Sequence, residues 1–100
     1  MKLTERQKKF LRREAHNLKP ILVTGDKGVT DAFLQELHST LEHHELIKIK
    51  VRAADRDERD TAIADLTEKM QALLVSRVGN NAVLYRAKRK NSRIKLPPPG

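Results

Sequence analysis

Apolar residues recur along this chain in two rhythms. Leu3, Phe10, Leu11, Ala15 and Leu18 follow helical spacing and form one stripe. The spacing predicts a helix over 4–17. Thr4 can cap it, and Gln7 completes an S/T-x-x-E/Q capping box. The helix must end before Pro20, which disfavours helical geometry at Lys19. The short run "PILVT" (20–24) is apolar and β-branched and reads as a buried strand, with Pro20 suited to its first position. Phe33, Leu37, Leu41 and His44 then return to helical spacing. Thr30 can cap this second helix, Asp31 sits in its first turn, and Val29 and Leu34 occupy the hydrophobic-staple positions.

"LIKIKVR" (46–52) alternates cleanly. Ile47, Ile49 and Val51 point one way, and Lys48, Lys50 and Arg52 the other, so the run predicts a half-buried strand with one basic, wet face. A third helix is expected over about 56–72, with Asp55 and Glu58 at its start. Ala62, Ile63, Leu66, Met70 and Leu73 form its apolar face. "LVSRVGNNAVLYRA" (74–87) holds two β-rich runs around Gly79-Asn80-Asn81, which predicts a hairpin. The end of the chain, "KRKNSRIKLPPPG", is basic and then Pro-rich, and is expected to be extended or disordered. The order is thus α-β-α-β-α-β-β. Helices between strands imply right-handed crossovers, with the last strand pair antiparallel. The expectation is one compact α/β domain on a four-stranded mixed sheet, residues 1–88, followed by a tail, 89–100.

Charge sharpens the picture. The chain has 21 Lys and Arg against 13 Asp and Glu, a net charge of +8 over 100 residues. Residues 31–68 hold ten acids and five bases, a balance of −5. The remaining residues carry a balance of +13. A solvated surface usually intersperses the signs. Segregation suggests a polyanionic partner, most simply nucleic acid, against the plainer reading of a basic surface that binds nothing. There is no cysteine, no apolar stretch approaches 18 residues, and "MKLTERQKKF" has no hydrophobic signal region. The expectation is a cytoplasmic monomer without membrane attachment.

Catalytic chemistry finds no foothold. His38, His43 and His44 are one, five and six residues apart, whereas a metal-binding pair on a helix wants four. Nucleophile-elbow and Walker A patterns are absent, and the acids of "DRDERD" (55–60) lack calcium-loop spacing. No enzyme, cofactor, metal or small-molecule substrate is expected. The stretch "VTGDKGVTDAF" (23–33) is more suggestive. Its Gly-x-x-Gly loop can turn tightly and admit close approach of another chain. The helix beyond it offers free N–H groups and a positive dipole end, and Lys27 adds a cation. KH domains clamp a nucleic-acid backbone with such a loop. A turn of purely structural use has the same pattern. Phe10 and Phe33 fit apolar stripes, and Tyr85 reads either way, so a platform of exposed aromatics is not expected.

The segments "LTERQKKFLRREAHNLKPILVTGDKGVT", "TLEHHELIKIKV", "GNNAVLYR" and the terminal "IKLP" together resemble the CRM domain (chloroplast RNA splicing and ribosome maturation), in particular its free-standing bacterial YhbY-type members. The similarity runs in order over essentially the whole chain. It implies an α/β fold like that of the C-terminal domain of translation initiation factor three, and RNA binding. It further implies association with ribosomal RNA in precursor large subunits, as for the bacterial members, while plant relatives act in group II intron splicing. The resemblance places Gly25, Asp26, Lys27 and Gly28 on the RNA surface together with basic residues of the first helix, although Asp26 is a poor phosphate contact. The charge balance extends that surface to Arg6, Lys9, Arg13, His16 and Lys19 and to Lys88, Arg89 and Lys90 of the tail. Lys48, Lys50 and Arg52 form a second candidate face, or a solvated strand face that guards against aggregation. Two other readings stay open: an adaptor docking basic ribosomal or assembly proteins through acidic 31–68, and a nonspecific DNA binder.

Overall fold

The computed structural model describes residues 2–24, 28–88, 90 and 92–98. The expected order of elements is present: α1 Glu5–Ala15, β1 Leu22–Val23, α2 Asp31–His44, β2 Leu46–Lys50, α3 Arg56–Met70, β3 Leu73–Val78 and β4 Asn81–Tyr85. All three helices start on the residues read as caps. Thr4 Oγ1 accepts from the Gln7 N–H at 3.2 Å, and Gln7 Oε1 accepts from the Thr4 N–H at 3.0 Å. Thr30 Oγ1 accepts from the Phe33 N–H at 3.1 Å, and Asp55 Oδ1 from the Glu58 N–H at 2.8 Å. Such caps typically contribute about 1 kcal/mol each.

The four strands form one sheet in the order β1-β2-β4-β3. β1 runs parallel to β2, and β4 is antiparallel to both of its neighbours. The hairpin between β3 and β4 turns on Gly79 and Asn80, with Val78 paired to Asn81. Gly79 takes φ +59, which suits the first central position of a two-residue hairpin turn.

Alternation along the central strands feeds two cores, one on each face of the sheet. Ile47, Ile49, Ala82 and Leu84 pack against Phe33, Leu37 and Leu41 of α2 and Ile63 and Leu66 of α3. Leu46, Val83, Tyr85 and Val75 pack against Leu11 and Ala15 of α1. The architecture is therefore three-layered, with α2 and α3 below the sheet and α1 above it. Tyr85 is a core residue, 2% exposed.

Several local expectations shift. Leu18 and His44, at the ends of their stripes, are exposed, because α1 stops at Ala15 and α2 at His44. Leu73 is not in the third helix. Gln71 adopts a left-handed conformation at φ +53 and ends α3, so Leu73 opens β3 and packs in the α1 core. The "PILVT" strand is buried on one side only: it forms the sheet edge, Leu22 and Thr24 turn inward, and Ile21 and Val23 are exposed. β2's second face is not wholly wet, because α1 covers Leu46. Residues 92–98 form neither helix nor strand. They still dock: Ile94 and Leu96 pack on the α1 core, and Gln7 Nε2 donates to the Pro97 carbonyl at 3.1 Å.

Leu84 is fully buried between β4 and the lower helices. Leu84→Ala is expected to cost about 2–5 kcal/mol, and Leu18→Ala less than about 0.5 kcal/mol. Urea denaturation midpoints check the pair.

Candidate functional site

The helix α1 turns 100° per residue. Arg6, Lys9, Arg13 and His16, at spacings of three, four and three, therefore fall on the face opposite Gln7, Leu11 and Ala15, which are the buried ones. All four are exposed, and so is Lys19 just beyond the helix. His16 is the C-terminal cap, its N–H donating to the Arg13 carbonyl at 3.3 Å. The sheet holds this basic stripe outward because α1's apolar side is committed to Val75, Val83 and Tyr85.

Gly25, Asp26 and Lys27 lie outside the described residues, so of the Gly-x-x-Gly loop only Gly28 can be placed. It takes φ +74, and a Cβ there would meet nothing within 4 Å. Backbone conformation, not space, therefore requires glycine at this position. The Thr24 side chain is buried at the exit of β1, and its Oγ1 accepts from the Arg52 N–H at 2.9 Å. That bond ties the exit of β1 to the exit of β2. The capped N-terminus of α2 follows Gly28 directly.

The tail cations are placed by a residue that the sequence did not single out. α2 ends at His44 and β2 begins at Leu46, leaving Glu45 to make the whole turn, at φ +58. The residue is 1% exposed. Oε1 accepts from the Lys88 N–H at 3.1 Å and the Ser92 hydroxyl at 2.6 Å, and Oε2 accepts from the Arg93 N–H at 2.8 Å. Its backbone carbonyl takes the Arg86 N–H at 2.9 Å. Burial on its own raises the Glu45 pKa. The bonds from Ser92, Arg93 and Lys88, with the Lys88 charge, outweigh that and hold it below its ordinary value of 4.5. Burial, and then the Glu45 charge, push the Tyr85 hydroxyl up. The only sequence signal for Glu45 is a junction too short for an ordinary turn.

Arg86, two residues before the basic tail begins at Lys88, is occupied inside the fold. Its Nη1 donates to the Met70 carbonyl at 3.1 Å, and Nη2 to the His38 carbonyl at 3.1 Å and to Glu42 Oε1 at 2.9 Å. It fastens the end of β4 to both lower helices. Lys88 is half-buried and Lys90 exposed, while Arg89 lies outside the described residues. Lys88 follows the end of β4 beside the start of β2, whereas Gly28 follows the exit of β1, beside the end of β2. Lys88 and Gly28 thus lie at opposite ends of the sheet, with Lys48 and Lys50 along the strand between them.

Charge segregation along the chain becomes segregation across the sheet. Asp31, Glu36, Glu42, Asp57, Asp65 and Glu68 are exposed on α2 and α3, below it. Lys48 and Lys50 belong to the acidic stretch of sequence, yet they share a face with Leu46 and so project on the α1 side. Among the described residues, no group of three His, Asp or Glu is placed to hold a metal ion.

A CRS1/YhbY (CRM) domain family model matches residues 3–86. The chain belongs to this family. It is 39% identical to a protein of Haemophilus influenzae named "RNA-binding protein", over 95% of each chain. It is 41% identical to the Bacillus subtilis "Probable RNA-binding protein YqeI", over 95% of this chain and 99% of that one. The solution structure of a hypothetical protein from Staphylococcus aureus superposes with a TM-score of 0.82 at 35% identity, covering 96% of this chain and all of that one. This superposition supports the same single α/β domain with three helices and a four-stranded mixed sheet.

In this CRM domain, the depressed Glu45 carboxylate stabilises the docked tail at neutral pH. That contribution is lost as acid protonates the group below 4.5. Glu45→Ala removes three charge-assisted acceptor contacts, and exchange of the Lys88 and Arg93 amides is expected to speed up roughly tenfold or more. Hydrogen exchange followed by NMR at neutral pH reads this directly.

Proposed function

We propose that this chain binds RNA on its α1 side. Phosphates would be neutralised by Arg6, Lys9, Arg13, His16 and Lys19, by the loop Gly25–Gly28, and by Lys88, Arg89 and Lys90. The observation that carries the reading is the basic stripe of α1. It faces outward and lies across the sheet from the acidic helices. A polyanion approaching this molecule is attracted to one side and repelled by the other. The names of the relatives support the same partner.

The finer reading is that the RNA is ribosomal. The chain acts in the cytoplasm as a monomer that assists maturation of the large ribosomal subunit, as its likeness to YhbY-type members suggests. Buried Tyr85 and Phe33 leave no aromatic platform on the sheet, so contacts to the backbone dominate affinity. Binding needs no cofactor and involves no catalysis. The acidic face formed by α2 and α3 favours a second role, docking a basic assembly protein while RNA occupies the other side.

If about five phosphates are neutralised, log K falls against log salt with a slope of roughly −3.5 to −4.5. Arg13→Ala is expected to flatten the slope by about one unit, uniformly across RNA sequences, and leave folding intact. Filter binding over a salt series checks both, and a wild-type slope near zero contradicts the proposal. Sequencing of RNA crosslinked to the protein in cells tests the finer reading. Enrichment of large-subunit precursors supports it, and messenger RNA alone opposes it.

A further inference from the structure

The α1 layer does not cover the whole upper face of the sheet. It sits over Leu46, Val75, Val83 and Tyr85 and leaves open the corner built from β1 and the end of β2. The β1 ladder extends one residue past each end of the strand, with the Ile21 N–H bonded to the Lys48 carbonyl at 2.8 Å and the Thr24 N–H to the Lys50 carbonyl at 3.0 Å. Leu22 turns down into the α2–α3 core. Its neighbours Ile21 and Val23 therefore turn up, and they are 47% and 44% exposed. Val23 is in register with Lys50, and Lys50 with Asn81. Beyond Asn81 lies Val78, 76% exposed. The open corner therefore sets apolar patches beside ammonium groups. Among the described residues neither Lys48 nor Lys50 pairs with an acid.

We propose that this corner seats the bases of a single-stranded RNA segment. Ile21 and Val23 lie against the base faces, and Lys48 and Lys50 meet the phosphates of the same nucleotides. The inference rests on the RNA reading above and specifies which form of RNA the site takes. The pairing of surfaces is the reason. An unpaired nucleotide is a flat, weakly polar ring beside an anion, and the corner offers an aliphatic contact beside a cation. A duplex keeps its base faces stacked and cannot use Ile21 or Val23. An apolar protein partner would strip water from two ammonium groups without compensating them. The corner also lies beside the exit of β1 that leads into the Gly28 loop, so a strand seated there continues toward the helix N-terminus of α2. The apolar contact offered by Ile21 and Val23 is aliphatic, so it is dispersive and tolerant of base identity.

The test compares a fluorescein-labelled ten-nucleotide unstructured RNA with the duplex formed from it and its complement. The variants are Ile21→Thr and Val23→Thr, which keep β-branching at exposed positions, and thermal melts confirm that they fold. The expected result is a loss of single-strand affinity of about fivefold per variant, taken from the removal of one apolar group. The salt slope and the duplex affinity stay unchanged, because no counterion contact is lost. In the wild type, 4-thiouridine in the single strand is expected to crosslink to residues 20–24 or 46–50, since that photoprobe reports base proximity. Equal losses for strand and duplex overturn the proposal, as do unchanged affinities or crosslinks confined to α1 and the tail. A concentration-dependent dimer in sedimentation that Val23→Thr abolishes also overturns it and assigns the corner to a second copy of the chain. If the wild type binds neither probe, the RNA reading itself fails. Steep, salt-dependent binding that the variants do not alter removes the base seat alone.

Discussion

The sheet is buried from both sides along β4, and the rest of the molecule is organised around that constraint. Ala82 and Leu84 face one core, Val83 and Tyr85 the other, and all four are buried. A strand with two apolar faces needs two covers. Two helices supply the lower one. The upper cover is a single helix of 11 residues, assisted by Ile94 and Leu96 of the tail. Because the upper cover is smaller than the sheet, Ile21, Val23, Lys48 and Lys50 remain uncovered or only half-covered. The open corner is thus a direct result of unequal layers.

The same asymmetry separates the charges. α2 and α3 carry most of the acids and lie on the side with the larger apolar cover. α1 buries only Gln7, Leu11 and Ala15 and presents Arg6, Lys9, Arg13 and His16 on its outer face. The sheet keeps the two layers apart. A molecule built this way presents a polyanion with one attractive side, and the upper core fixes the spacing of the cations on it. Glu45 extends that side by placing the backbone of Lys88 and Arg93. A buried carboxylate, on a residue whose backbone makes a one-residue junction at positive φ, thereby holds a tail whose described residues 92–98 form neither helix nor strand.

Elements were legible wherever periodicity and caps agreed. Thr4, Thr30 and Asp55 each announced a helix start, and the Gly79-Asn80 turn announced the hairpin. The α1 stripe was legible too, because helical spacing alone puts Arg6, Lys9, Arg13 and His16 on one face. What could not be read depended on tertiary placement. "PILVT" looked buried because its composition is that of a core strand, but composition does not reveal position at a sheet edge. Lys48 and Lys50 sit in an acidic stretch, and only strand register shows that they belong to the basic side. Arg86 resembles its basic neighbours, but its side chain is bound to Met70, His38 and Glu42. Glu45 makes its partners 43 to 48 residues away, a distance that no local pattern spans.

The central claim is that RNA meets the α1 side of the sheet and leaves the acidic side free. Backbone amide chemical shifts, recorded while structured RNA is titrated into labelled protein, test it most directly. The account predicts that shifts cluster on the α1 stripe, on Lys48 and Lys50, and on the tail from Lys88 onward, with α2 and α3 unmoved beyond their first turns. Shifts concentrated on the exposed faces of α2 and α3, with α1 silent, would contradict it.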